Sequence, residues 1–236
     1  MNIHFFEEYS NSSNLRKLDL VPWKCDLFLA SPSLIAFSKD AENIKKQYKQ
    51  VRHVIYWPIL SLDEGYWFSP FAKYSAVKRI IDELKNTKKK HRVLWDAELP
   101  TLKKELFFTT IHSFLFNKSQ IQRFLKKTKH TIYTAEYGYD TNFLEIFYRV
   151  LGVAFDQKKI HHRRILMLYT SYLHKGIVEN YFLSHLKYHR NTQSPILVGL
   201  GTIARGAAGN EPILSSKRLA HDLSVLKKEK VKDIVI

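Results

Sequence analysis

The stretch His91-Arg-Val-Leu-Trp-Asp-Ala-Glu-Leu-Pro100 closes an apolar run with two carboxylates, Asp96 and Glu98. At that spacing both side chains leave a strand on the same face. Pro100 then stops the strand, because it has no N–H to give to a sheet ladder. Acids at the C-terminal tip of a buried strand are costly to keep for stability alone, and in α/β barrels that tip carries the catalytic groups. With Leu94, Asp96 and Glu98 facing inward, Glu98 stands at the rim and Asp96 one layer below. A buried carboxylate beside another holds its proton, which suits a general acid. The plainer account of the pair is a hydrogen-bond network with tyrosine or lysine inside a barrel.

Other residues are candidates to join them. Glu136, in Thr134-Ala-Glu-Tyr-Gly138, ends a neighbouring strand, with Tyr137 beside it. Two carboxyls about 5–9 Å apart across a rim can hydrolyse a glycosidic bond. They can also hold a divalent metal; a salt bridge to a loop lysine is the structural alternative. Ile165, Met167 and Tyr169 share one face of a later strand, and Tyr169 at its end can hydrogen-bond a substrate. Glu7 is expected to point inward, in phase with Ile3 and Phe5, and Glu8 outward. The aromatic loop Tyr56–Phe71 offers Trp57, Tyr66, Trp67 and Phe68 for stacking on sugar rings or bases, or for packing on one another. Gly199-Leu-Gly-Thr-Ile-Ala-Arg-Gly-Ala-Ala-Gly209 follows the seventh strand, where many barrels bind phosphate. Gly201, Arg205 and Gly206 would do so here, although the spacing is no Walker or dinucleotide fingerprint.

The elements that must position these residues alternate. Strands are expected at Asn2–Tyr9, Cys25–Ala30, Val51–Leu60, Arg92–Leu99, Thr131–Tyr137, Arg164–Tyr169, Pro195–Leu200 and Lys232–Ile236. Helical patterns lie between them, including one opened by Ser31-Pro32 as N-cap and first turn and Asn142–Leu151 with Phe143, Ile146, Phe147 and Val150 on one face. Eight strands with helical crossovers imply parallel pairing and a single-domain (β/α)8 TIM barrel over residues 1–236, for which about 250 residues is usual. The competing open doubly wound sheet would carry a glycine-rich first turn, and Glu8-Tyr-Ser-Asn-Ser-Ser-Asn14 has no glycine. After the eighth strand the last helix is expected to be missing or truncated.

The composition, 45% hydrophobic and 14% aromatic, supports a sizeable core. The single cysteine, Cys25, excludes an internal disulfide and any cysteine-rich zinc site. No basic leader opens the chain, and no uncharged apolar run reaches the roughly 20 residues of a membrane span. A cytoplasmic protein without a resident cofactor is the expectation. The net charge is +16. Its basic runs, Lys88–Arg92, Lys126–His130, Lys158–Arg164, Lys187–Arg190 and Lys227–Lys230, each precede a strand and so belong at the bottom of a barrel. There they complement helix dipoles or form a face for nucleic acid or anionic membrane. The acids Glu7, Glu8, Asp63, Glu64, Asp96, Glu98, Glu136 and Asp140 follow strands and belong at the top.

Trp95-Asp-Ala-Glu98 on strand four and Met167-Leu-Tyr169 on strand six resemble the barrels of chitinase-type glycoside hydrolases. The resemblance implies Glu98 as general acid, Asp96 as its neighbour and Tyr169 facing the substrate. It departs upstream, where His91, Arg92 and Val93 stand in place of further acids, and at Thr170, where the family usually has Asp. The expected function is therefore a carbohydrate-directed, glycosidase-like hydrolase. Glu98, Asp96, Glu136 and Tyr169 would form the catalytic group, and Glu7, Trp57, Trp67, Tyr137 and Met167 would bind substrate. The alternatives are a phosphosugar isomerase or lyase, with phosphate on Gly201–Gly209 and a divalent metal on Glu98 and Glu136, and a non-catalytic protein using its basic bottom face on nucleic acid or membrane.

Overall fold

In a computed structural model of the chain, residues 1–190, 196–201, 203, 204, 206, 209 and 211–236 are described. Eight parallel strands close into a barrel in chain order. They are β1 (Asn2–Glu7), β2 (Cys25–Ser31), β3 (Val51–Pro58), β4 (Arg92–Asp96), β5 (Thr131–Tyr137), β6 (Arg163–Met167), β7 (Ile196–Gly199) and β8 (Asp233–Val235). The register from Asn2↔Asp233 to His4↔Val235 joins β8 to β1 and closes the ring. This is the (β/α)8 barrel expected from the alternation of strand and helix patterns.

The helices are α1 (Ser12–Leu15), α2 (Leu34–Gln47), α3 (Tyr74–Asn86), α4 (Leu106–Thr109), α5 (Ile111–Lys127), α6 (Asn142–Leu151), α7 (Val178–Arg190) and α8 (Ser216–Lys228). The cap of α2 lies two residues beyond the expected place. Ser33, not Ser31, accepts from the Ala36 N–H at 3.2 Å, and Ser31 belongs to the end of β2. Proline at position 32 therefore precedes the cap instead of opening the helix. The fourth strand stops at Asp96, so Glu98 sits on the loop that leaves it.

Strand alternation sorts the side chains into two layers. Outward residues such as Val93, Trp95 and Ile132 pack under α2, α3 and α5, and Leu166, Leu168 and Val198 pack under α7 and α8. Trp95 is fully buried and meets Phe68 edge-on at 4.2 Å. Inward residues fill the barrel in tiers. The middle tier is apolar: Phe6, Phe28, Ile55, Leu94, Ala135, Ile165, Leu197 and Val235.

The bottom tier is a closed polar ring. Asp26 lies 3.0 Å from His53 Nδ1, and His53 Nε2 lies 3.2 Å from Arg92. Arg92 and Arg163 both donate to the Tyr133 hydroxyl, at 3.3 and 3.1 Å. Arg163 reaches Asp233 at 3.5 Å, Asp233 faces His4 Nε2 at 3.5 Å, and His4 Nδ1 accepts from the Asp26 N–H at 3.0 Å. The two arginines flank Tyr133 and the two aspartates flank His4, so Asp26 and Asp233 on one side of the floor balance Arg92 and Arg163 on the other.

The helix α6 is turned against its apolar pattern. Its buried residue is Glu145, bonded by Arg149 and by the Tyr188 hydroxyl at 2.5 Å. Tyr148 stacks inward on Tyr137 at 5.4 Å. Phe143, Ile146, Phe147 and Val150 consequently face outward.

Candidate functional site in the barrel mouth

Above the apolar tier the barrel opens into a cavity of about 580 Å³. Three inward phases bring its polar groups together. From β4 come Asp96 and, just past the strand, Glu98; from β6, Met167 and Tyr169; from β5, Tyr137. Trp57 closes one wall from β3, and Trp67 another from the loop after it. The phases expected for β4 and β6 hold: Leu94, Ile165, Met167 and Tyr169 all join the inner cluster.

Two of the expected positions differ. On β1 the inner residue is Phe6, stacked on Phe28 at 5.2 Å and on Trp57 at 5.5 Å. Phe5 packs outward. The inward acid is therefore Glu8, not Glu7. Glu7 stays at the edge of the opening, accepting from the Tyr9 N–H at 3.1 Å and the Asn14 amide at 3.3 Å. Phe5-Phe6 followed by Glu7-Glu8 presents the same pattern in either phase, so alternation alone does not choose between them.

Glu136 is the larger correction. It lies on the outward face of β5, buried between sheet and helices, and does not line the mouth. Its Oε2 pairs with Arg164 Nε at 3.0 Å, and its Oε1 accepts from the Thr134 hydroxyl at 2.7 Å and lies 3.3 Å from His162 Nε2. Burial would raise its pKa, but the Arg164 guanidinium, His162 and Thr134 outweigh burial and hold it down at about 2. The neutralising partner is a buried arginine of β6, not a loop lysine. The wall of the barrel separates Glu136 from Glu98, so these two cannot share a metal. Among the described residues no cluster of three or more His, Cys, Asp or Glu side chains is arranged to hold a metal ion.

Inside the mouth burial, and after it neighbouring carboxylates, raise the pKa of Asp96 and of Glu98. Asp96 is buried, and burial lifts its pKa well above the usual aspartate range, with the charges of Glu98 and Glu8 adding to it. The Trp57 indole N–H favours the anion, yet neither it nor any other described donor completes a hydrogen bond to Asp96 Oδ1. Desolvation and the charge of Glu8 push Glu98 up to about 7, against a lowering influence from the Tyr137 hydroxyl. That hydroxyl also accepts from the Leu99 N–H at 3.0 Å, which fixes the loop carrying Glu98. Burial, then Glu98 and Asp96, keep the Tyr169 phenol protonated. Its hydroxyl lies 3.3 Å from Met167 Sδ.

Glu8 has its own support. The Tyr66 hydroxyl donates to it at 2.6 Å. Tyr66 holds this place with φ +58°, a left-handed conformation unusual for an aromatic residue, after Gly65 at φ +125°. Such strain persists where surrounding structure over-determines it. No local pattern pairs Tyr66 with Glu8, because the contact spans 58 positions.

Of the glycine-rich loop, Gly201 and Gly206 are described, and Arg205 lies outside the described residues. The Gly206 N–H already donates to the Glu211 carboxylate at 3.2 Å. A Cβ at Gly206 would sit 3.0 Å from Glu8 Oε2. Two carboxylates around this glycine disfavour a phosphate there.

No family model matches the sequence, and comparison with curated proteins gives no significant match. Among solved structures, the chain resembles the PgaB (BpsB) glycoside hydrolase domain from Bordetella bronchiseptica, with a TM-score of 0.55 at 10% identity, over 99% of this chain and 92% of that one. At that identity the likeness is one of fold: a glycoside-hydrolase-like barrel.

Proposed function

We propose that the chain is a glycoside hydrolase that cleaves its substrate in the barrel mouth with Glu98 as general acid. The observation that carries this reading is a rim carboxyl whose pKa is lifted to about 7, next to a second raised carboxyl, Asp96. A proton on Glu98 at neutral pH is available to the leaving glycosidic oxygen. Asp96, one tier below, opposes a second negative charge, and the proton that the base takes from the attacking water restores Glu98 through solvent after turnover. Glu8, oriented by Tyr66, is the carboxylate left to assist the attacking water. Trp57 and Trp67 supply faces on which sugar rings stack, and Tyr169 a hydroxyl to orient them. The Asp96-Ala-Glu98 and Met167-Leu-Tyr169 motifs are those on which the likeness to chitinase-type enzymes rests, and they favour a polymer of amino sugars as substrate. The glycoside hydrolase domain of similar fold supports the reaction class.

The test is release of reducing ends from a panel of glucans, xylans and N-acetylglucosamine polymers across pH. Turnover on one member should fall as pH rises through about 7, where the acid loses its proton. A flat profile from pH 6 to about 9 on a hydrolysed glycan would remove Glu98 as the acid, and absence of hydrolysis across the panel counts against the reaction class.

A further inference from the structure

The outer side of the barrel carries an apolar face with no described residue packed over it. Phe143, Ile146, Phe147 and Val150 of α6 are between 46% and 76% exposed, and Phe108, Ile111 and Leu115 between 63% and 78%. The two rows lie side by side, since Lys118 of α5 donates to the Val150 carbonyl at 2.7 Å. Scattered exposed apolar residues are ordinary, but a contiguous set of this kind marks a place where something docks.

A second observation lies on the other flank of α5. Between α3 and α5 is a cavity of about 510 Å³, lined by Lys85, Arg123, Lys127 and Lys129 and by no carboxylate. Gln120, also in its wall, has a buried side-chain nitrogen with no acceptor among the described residues. Phe116, 70% exposed, stands at its edge. Residues 101–127 hold six lysines and arginines against one acid, Glu105.

We propose that α5 and α6 seat the protein on an anionic lipid surface, with the apolar face of the two helices at the headgroup–acyl boundary and lipid phosphates in the cationic cavity between α3 and α5. Charge complementarity selects this occupant. An aromatic and aliphatic face flanked by cations is the composition that binds the interface of an anionic bilayer. A second copy of the chain would bring two charges of +16 together over this face. Among the described residues no helix is long and apolar enough to cross a membrane.

Flotation with vesicles of phosphatidylcholine, alone or mixed with phosphatidylglycerol, tests this. The wild-type chain should partition onto the mixed vesicles and release as salt rises. Phe143→Ser with Phe147→Ser, and separately Arg123→Glu with Lys127→Glu, should each weaken partition at least about tenfold, as expected for lost apolar insertion and lost surface attraction. Lys39→Glu with Lys45→Glu on α2 makes the same charge change elsewhere and should weaken it less than about twofold. All these side chains are exposed, and melting curves confirm that each variant is folded; Ile146→Asn replaces the phenylalanine pair if that pair is not. The proposal is overturned if mixed vesicles bind no better than phosphatidylcholine, if the α2 pair weakens binding as much as the α5 pair, or if sedimentation shows a dimer that the Phe143 and Phe147 changes dissociate.

Discussion

Glu98→Gln is expected to lower turnover on any hydrolysed glycan by about a hundred- to ten-thousand-fold, the usual contribution of a positioned general acid. The amide keeps the shape and the contact with the Tyr137 hydroxyl but carries no transferable proton. The same substitution should raise stability at pH 8. Glu98 has a folded-state pKa of about 7 against an ordinary 4.5, so the folded state binds its proton more tightly than the unfolded state. Stability therefore falls as pH rises from about 4.5 through 7 and stays lower above that. The neutral amide escapes this loss, and its advantage should shrink as pH is brought down to about 4.5. Thermal melts at pH 4.5 and pH 8, together with kcat on the glycan, check both halves. A variant that retains turnover, or that is less stable than wild type at pH 8, contradicts the assignment.

Glu136→Gln should do the opposite: damage the fold and spare the chemistry. It leaves the Arg164 guanidinium buried without its ion pair, a loss of about 3–5 kcal/mol and so a melting temperature lower by roughly 10 °C in a domain of this size. The paired residues hold together the region where β5, β6 and the segment before β6 meet, because Arg164 also donates to the Phe155 carbonyl at 2.7 Å. The wild-type advantage belongs to pH values above 4.5. It is lost as pH falls from 4.5 through about 2, where Glu136 protonates in the folded state. Glu136→Leu combined with Arg164→Leu should cost less than Glu136→Gln alone, since it removes both charges. Differential scanning calorimetry at pH 7 decides. A melting temperature within a couple of degrees of wild type would mean that this pair does not hold β5 and β6 to the segment before β6.

The contrast between these two glutamates shows what could be read from the chain. Asp96 ends β4, and Glu98 and Tyr169 come just after β4 and β6; their apolar partners, Leu94 on β4 and Ile165 and Met167 on β6, lie in the same phase, so local alternation places them. The barrel followed from the same local pattern repeated eight times. Glu136 alternates equally well, but its inward neighbours are Tyr133, Ala135 and Tyr137, and its face is set by Arg164 on the next strand. A clue was present: Arg164 shares the outward phase of Leu166 on β6 and of Leu168 just beyond it. A cation on a helix-facing position needs a buried anion from an adjacent strand. The phase of β1 was degenerate, and the rotation of α6 depended on Glu145 finding Arg149 and Tyr188, the latter 43 positions away. Such long-range polar pairings override an apolar periodicity that by itself assigns Phe143 and Phe147 to the core.

A carboxylic acid that stays protonated in the mouth at neutral pH can be detected without knowing the substrate. Carbon-13 NMR of side-chain carboxyls in the labelled protein, with Glu98→Gln to assign the resonance, follows the titration of Glu98 directly. The expected midpoint is near 7, moving downward in Glu8→Gln, because a neighbouring charge that raises it is then gone. A Glu98 carboxyl that titrates below about 5 and ignores the Glu8 substitution would show an ordinary surface glutamate, and the mouth would then hold no general acid.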